Sequence, residues 1–367
     1  MATHIVEVIN MSREVAWLPW AVQYFFLIGL SFCSFALSLP GLVLERRSWQ
    51  RMSRLALLGA LLCGLCAPVA LLSDLHQPGR FYHFYLYMNP SSWMAWGAVF
   101  IPLYLGSLLL YAWLWLRPAL QAMADRNGPA APVYRALALG GTLNRAGLRG
   151  AALLTALGAL LVALYTGMEV MVVAARPLWH TPLLPLQFVA TALAGAIGLV
   201  LLMARLMGQA QAEDTRRLNR LLAMVQVIVL LLGAGWLALG LTGFSAVHAQ
   251  ALDEVAGSLH WRITALWAVA ATVLTLVLAL RWPTTGWLTG LLALHSAWMM
   301  RWTLFIGGQQ IPKFGAGFYS YHLPLGQDGW LGLIGTAGLW LFLFIVITSL
   351  LPWDDTPGPG RTSGACA

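Results

Sequence analysis

Residues 55–74 read LALLGALLCGLCAPVALLSD, twenty residues whose one charged side chain is the Asp74 that ends the run. Twenty helical residues rising 1.5 Å each cover about 30 Å, the hydrocarbon thickness of a bilayer. The stretch lacks the period-two alternation of a half-buried strand. Surrounded by lipid, its backbone N–H and C=O groups must pair within the segment, so the run reads as a transmembrane helix.

The same signature recurs on both sides of it. Apolar runs near 17–44, 92–116, 150–175, 183–207, 219–243, 261–281, 285–306 and 329–351 join the one at 54–74, about nine helices in all. The fold class is therefore all-α and polytopic. Composition agrees: 60% of residues are hydrophobic, 9% are charged and the mean hydropathy is +0.75, which leaves a water-soluble fold nothing with which to cover its surface. The N-terminal run is too long, and its leader with Glu7 and Glu14 too poorly charged, to be expected as a cleaved signal peptide.

The formal charge of +8 is not a nucleic-acid signal, because the positive residues form no contiguous basic segment and sit between apolar runs. Their distribution reports topology. Arg46, Arg47, Arg51 and Arg54, then Arg117, Arg126, Arg135, Arg145 and Arg149, then Arg205, Arg216, Arg217 and Arg220, with Arg281 and Arg361, all fall on one side; only Arg13, Arg80, Arg176, Arg262, Arg301 and Lys313 fall on the other. Lys and Arg favour the cytoplasmic side, which predicts an external N-terminus and a cytoplasmic C-terminus. The tail at 352–367, rich in Pro and Gly, is expected to be flexible.

Against this oily background a few polar side chains stand out. On the external side, helix one begins with Trp20, Gln23 and Tyr24, helix two ends at Asp74 and His76, helix three begins at Ser92 and Trp93, and helix four ends after Tyr165 and Glu169. Tyr165 and Glu169 are four apart and share a helical face, roughly 16 and 10 Å below Arg176. Ionisable groups at such depth are costly and mark functional sites. Oxidising a quinol releases two protons and two electrons, so its site needs partners for two ring oxygens and groups that accept protons. Tyr165 and Gln23 are candidates to hold the oxygens, Trp20 and Trp93 to flank the ring or tail, and Asp74, His76 and Glu169 to take the protons; Tyr24 joins the quinol-binding set. The plainer alternative is an interfacial aromatic belt, with the acids paired to Arg80 or Arg176 at helix ends.

Other constellations carry less. Cys63 and Cys66 have ligand spacing but lack two further ligands, so metal binding is not expected. Seven of the eight histidines fall in external segments or helix ends, and His295 alone lies near mid-membrane, an arrangement that disfavours paired haem ligation. Arg301, near the external end of helix eight, could pair with Asp328, hydrogen-bond His295, or snorkel to the surface. With His295 it is the candidate for a proton path in an ion-translocating subunit or transporter, the alternative class of function.

The order of the motifs adds a resemblance. Ala67-Pro68 through Asp74-Leu75-His76-Gln77-Pro78, then Arg80-Phe81, Ser92-Trp93-Met94-Ala95-Trp96-Gly97-Ala98, Tyr165-Thr166-Gly167, Arg176-Pro177-Leu178-Trp179 and Arg301-Trp302-Thr303-Leu304 before Gly307-Gly308-Gln309 resemble the NrfD/PsrC family of quinone-reactive membrane subunits. Trp17-Leu18-Pro19-Trp20-Ala21-Val22-Gln23-Tyr24, Glu169-Val170 and Gln309-Gln310-Ile311-Pro312-Lys313-Phe314 are most similar to its tetrathionate reductase branch. The resemblance implies two four-helix bundles plus one extra helix: a first bundle in 1–207 holding an external quinol site, and a second bundle with the extra helix in 208–351. It implies menaquinol or ubiquinol as bound substrate and no haem. The implied partners are a four-cluster ferredoxin-like iron–sulfur subunit and a molybdopterin catalytic subunit outside the membrane. Relatives serving polysulfide or thiosulfate reduction share the chemistry. Many members carry a first-helix histidine where this chain has Gln23, which binds but does not titrate.

Overall fold

The computed structural model describes residues 15–126, 128–140, 144–311, 318–319, 321–351 and 353. Glu7, Glu14, Arg13, Lys313 and the tail beyond Trp353 lie outside them. The described chain is helical throughout: α1 (Pro19–Leu42), α2 (Gln50–Asp74), the short α3 (His83–Leu86), α4 (Trp93–Ala124), α5 (Ala131–Leu137), α6 (Arg145–Met171), α7 (Leu183–Leu206), α8 (Ala212–Leu241), α9 (Ala246–Ala256), α10 (Leu259–Arg281), α11 (Gly286–Trp302) and α12 (Trp330–Leu350). Eight of these are long and apolar enough to cross a membrane: α1, α2, α4, α6, α7, α8, α10 and α12. The ninth expected run is α11, which has 17 residues and continues directly into a π-helical turn, Thr303–Gly307.

Local chemistry sets several boundaries. Pro19 opens α1, where its missing N–H costs nothing. The Asn144 side chain accepts from Gly147 N–H at the start of α6, and Ser258 from Trp261 N–H at the start of α10. Proline also lies inside helices, at Pro40 in α1, Pro68 in α2, and Pro102 and Pro118 in α4.

The first four crossing helices pack as α1 on α2 and α4 on α6. Their approach depends on small residues: a Cβ at Gly158 of α6 would stand 2.8 Å from the Tyr104 Cα of α4. Helix α7 packs on α11 and α8 and also on α1, α2 and α6, so it bridges the two halves of the molecule. It crosses α11 backbone to backbone, since a Cβ at Gly198 would lie 2.7 Å from the Gly290 carbonyl oxygen and one at Gly290 would lie 2.8 Å from that of Gly198. Apolar side chains cover the outside as well, among them Leu266 of α10 and Leu331, Ile334 and Phe342 of α12, as expected where the solvent is lipid. Trp353, at the head of the tail, is buried against Trp115 with ring centroids 5.9 Å apart, so at least this residue of 352–367 is packed.

The helices alternate in direction. One end of the molecule therefore gathers the starts of α1, α4, α7, α10 and α12 with the ends of α2, α6, α8 and α11. The opposite end gathers the ion pairs Arg51–Asp214 (2.8 Å), Arg145–Glu45 (2.9 Å) and Arg217–Glu213 (3.1 Å).

Candidate functional site

At the first of these ends a cavity of about 390 Å³ opens between α1, α2, α4 and α6. Its polar end is made by Tyr24 of α1, Asp74 of α2, and Tyr165 and Glu169 of α6. The remaining wall is apolar, and no lining residue carries positive charge. The volume falls in the range of small-ligand sites, about 300–1,000 Å³.

Each polar group is placed by a local rule. Tyr165 and Glu169 share a face because they are one turn apart. On α1, Ala21, Tyr24 and Phe25 follow the i, i+3, i+4 pattern that puts all three on the cavity side. Asp74 ends α2 and its Oδ1 accepts from the N–H of Leu18 at 3.1 Å. Leu18 is the cap residue of α1 and has no capping side chain of its own, so the carboxylate serves the positive end of that helix across the cavity mouth. The Tyr165 ring packs against α4 at Gly97, which offers no side chain; a Cβ there would stand 2.7 Å from Tyr165 Oη.

Tyr165 lies within interaction range of both Tyr24 and Glu169, and Glu169 within electrostatic range of Asp74. Tyr24 Oη and Glu169 Oε2 are buried and make no short hydrogen bond among the described residues, although the Tyr165 phenol stands within interaction range of both. Buried polar atoms short of a close partner cost stability. The set can donate from phenols, accept at carboxylates and take up protons, which is the equipment a quinol head group requires.

Not every predicted residue comes to this cavity. Gln23 turns away, its Oε1 accepting from Trp298 Nε1 of α11 at 3.2 Å. Trp20 donates from Nε1 to Asp328 Oδ1 at 3.4 Å and lies against Gly332 of α12. Gln23 lies about 100° around the helix from Tyr24, whereas Trp20, one turn before Tyr24 and only about 40° from it, sits at the edge of the cavity-facing stripe and is taken up by α12. Trp93 opens α4 half-buried and outside the lining, where its neighbour Met94 stands instead. His76 is exposed beyond the end of α2, within electrostatic range of Asp74 but not on the cavity wall.

Arg301 neither snorkels nor pairs as expected. It is 1% exposed, and its guanidinium donates to Phe25 O (3.1 Å), Thr191 Oγ1 (3.0 Å), Ala297 O (2.8 Å) and Phe188 O (3.0 Å), tying α1, α7 and α11 together. Asp328 is held by Trp20, and His295 accepts from Trp267 Nε1 at 2.7 Å. His295 and Arg301 are six residues apart and face different neighbours, so they form no continuous pair.

Sequence reasoning passed over Gln309. Its Oε1 accepts from Ala16 and Trp17 N–H at 3.0 Å each, while its Nε2 donates to Trp17 O (2.8 Å) and Phe305 O (3.1 Å), which anchors the segment leading into α1 and its cavity-lining Trp17. Nearby Arg176 donates to Gly308 O (2.9 Å) and Ile311 O (3.3 Å) and lies over the Trp179 ring; burial lowers its pKa from the ordinary arginine value. The signals for Gln309 were its places in the Gly307-Gly308-Gln309 and Gln309-Gln310-Ile311 motifs.

The described chain is thus an all-helical, polytopic membrane protein with a polar-ended cavity among α1, α2, α4 and α6. Residues 7–313 match the family described as polysulphide reductase, NrfD, and the chain belongs to that family. Among curated relatives it is 37% identical over 357 residues to a tetrathionate reductase subunit of Salmonella typhimurium, covering 95% of each chain. It is 25% identical over 380 residues to a selenate reductase subunit of Mesobacillus selenatarsenatis, covering 93% of this chain and 87% of that one.

Proposed function

We propose that this chain is the membrane anchor and quinol-oxidising subunit of a tetrathionate reductase complex. The observation that carries the reading is one cavity that gathers Tyr24, Asp74, Tyr165 and Glu169 at one end and is lined elsewhere mostly by apolar side chains. The likeness to a tetrathionate reductase subunit over nearly the whole chain supports the terminal acceptor.

In this reading menaquinol or ubiquinol places its hydroxyls against Tyr24, Tyr165 and Glu169. Oxidation breaks both O–H bonds and yields quinone, two protons and two electrons. Glu169 and Asp74 take the protons, and Asp74, at the cavity mouth near His76, passes them to water. The electrons leave one at a time for a four-cluster iron–sulfur subunit, and from there reach a molybdopterin subunit that reduces tetrathionate to two thiosulfates. The arginine distribution orients the cavity end to the outside of the bacterial inner membrane, so the partner docks on the loops around the cavity and proton release is external.

The test is quinol-dependent turnover by the purified complex with tetrathionate, polysulfide and selenate compared as acceptors. Tetrathionate turnover that needs quinol and is lost when the iron–sulfur subunit is removed is the expected result. Preference for another acceptor replaces the terminal substrate and leaves this subunit's chemistry standing, whereas indifference of all acceptors to quinol sinks the reading. Proteoliposomes that move protons beyond those released by quinol would favour the ion-translocating alternative.

A further inference from the structure

A second cavity, of about 440 Å³, lies at the opposite end of the molecule, between the start of α2 and the connection from α7 to α8. Arg51 and Arg54 of α2 form one wall; they are three apart and share a helical face. The facing wall is the turn at 207–211, whose shape is set by its backbone. Gly208 has φ +66°, the left-handed conformation in which glycine ends helices, and the N–H groups of Gly208 and Gln209 return to the Arg205 and Ala204 carbonyls. The turn thus closes the end of α7 internally and brings Met207, Gln209 and Gln211 to the cavity wall.

The cavity is built for an anion. Arg51 Nη1 donates to Asp214 Oδ2 at 2.8 Å, and its side chain remains 31% exposed. Among the described residues its Nε and Nη2 make no hydrogen bond, so the guanidinium is anchored on one edge and open on the other. An edge of that kind grips two oxygens of one phosphate, which a lysine does less well. Segments 45–54 and 205–220 carry eight arginines, no lysine and three carboxylates. Those three, Glu45, Glu213 and Asp214, are each already paired, with Arg145, Arg217 and Arg51. The surplus is positive, which attracts a phosphate and repels the ammonium of a zwitterionic headgroup.

Depth identifies the source of the phosphate. The charge-free run of α2 opens at Leu55, directly after Arg54, and that of α7 closes at Ala204, so the cavity lies where the hydrocarbon ends. Leu206, beside the lining Met207, is 71% exposed and offers apolar surface at the same level. A basic pocket between crossing helices at the cytoplasmic boundary suits a lipid headgroup.

We propose that this cavity binds the phosphodiester of an anionic phospholipid, phosphatidylglycerol or cardiolipin, with Arg51 and Arg54 on the phosphate oxygens and Met207 against the glycerol and upper chain. The site is independent of the Tyr165 cavity and of the quinol reading, and it fixes the starts of α2 and α8 to the membrane.

The test is native mass spectrometry of the purified, assembled complex titrated in detergent with dioleoyl phosphatidylglycerol. The tightest-held lipid should bind at least about tenfold more weakly in Arg54→Gln, the loss expected for a charge-assisted contact, and with unchanged affinity in Arg149→Gln, an exposed arginine at the same end. Ala210→Glu places a carboxylate on the exposed turn, keeps every arginine and the Arg51–Asp214 pair, and should weaken binding as much, so a folding defect in Arg54→Gln would not decide the matter. Wild-type affinity in both cavity variants overturns the site. Equal weakening in Arg149→Gln, or phosphatidylcholine bound as tightly as phosphatidylglycerol, overturns its selectivity for an anionic headgroup held there. Displacement of phosphatidylglycerol by millimolar inorganic phosphate overturns the lipid as the source of the phosphate.

Discussion

Gly97→Ala is the smallest change that should disable the cavity. The new Cβ would overlap the Tyr165 ring, closest to Cζ with Cε2 at 2.5 Å and Oη at 2.7 Å, whereas carbon contacts relax only at about 3.5–4.0 Å, so the phenol must retreat by at least about 1 Å. Tyr165 is 2% exposed and packed toward Tyr24 and Glu169, which leaves the cavity itself as the direction of escape. Overpacking of this kind costs about 1–3 kcal/mol, against a helix-propensity gain of up to about 1 kcal/mol for Gly to Ala. Folding should therefore survive. A phenol displaced by about 1 Å at a reacting group can cost about 100-fold in rate, so kcat/KM for quinol should fall on that scale while the complex assembles normally. The measurements are quinol turnover and the affinity of a quinone-site inhibitor in the purified complex. Gly106→Ala is the internal control, on the same helix with nothing within 4 Å of its Cβ, and should leave turnover unchanged. Wild-type turnover and inhibitor affinity in Gly97→Ala would refute the reasoning, because the position of the Tyr165 phenol would then not matter.

Tyr165→Phe keeps the ring and removes one hydrogen bond, so kcat/KM for quinol should fall about tenfold, the equivalent of a hydrogen bond of about 1–1.5 kcal/mol. Asp74→Asn retains an oxygen for the Leu18 N–H and loses the proton acceptor; turnover should drop with assembly intact, and full turnover would remove Asp74 from the mechanism. Because Gln23 is bonded to Trp298, Gln23→Leu should leave the quinol KM close to wild type, and a marked rise would return Gln23 to the site. Arg301→Lys gives up the planar fork that reaches four acceptors and should cost about 2–3 kcal/mol of stability, read as a lower thermal midpoint, whatever happens to activity. His248, in α9 outside the crossing helices, has Thr181 and Ser245 hydroxyls on its two ring nitrogens, and burial lowers its pKa below the usual 6.5. The unfolded chain then binds the proton more readily, so its contribution to stability is complete above pH 6.5 and is lost as pH falls below it. Thermal melts on both sides of that pH should show the slope, and His248→Gln should flatten it.

Much of the architecture was legible because lipid imposes a strict length and polarity on every crossing segment. The run at 55–74 had to be a helix, and α11 was found at 285–306 although its regular helical part is short. Tyr165 and Glu169 could be paired from spacing alone, since both belong to one helix. The first helix shows where this stops. Trp20, Gln23 and Tyr24 were grouped by depth, yet only Tyr24 faces the cavity, because depth follows from counting residues whereas the inward face depends on which neighbours the helix packs against. The same limit explains Arg301: a buried cation in an apolar helix is visible in sequence, but its acceptors are backbone carbonyls of other helices, which have no sequence signature.

By itself, then, the sequence determined that the chain is a polytopic helical membrane protein, and its motif order placed it in a family of redox membrane subunits. Only the tertiary structure decided that Tyr24, Asp74, Tyr165 and Glu169 share one cavity and that Gln23 and Trp20 do not line it. The physical reason is that hydrophobic length and charge are properties of single segments, while rotation and close approach at glycine are properties of pairs of helices.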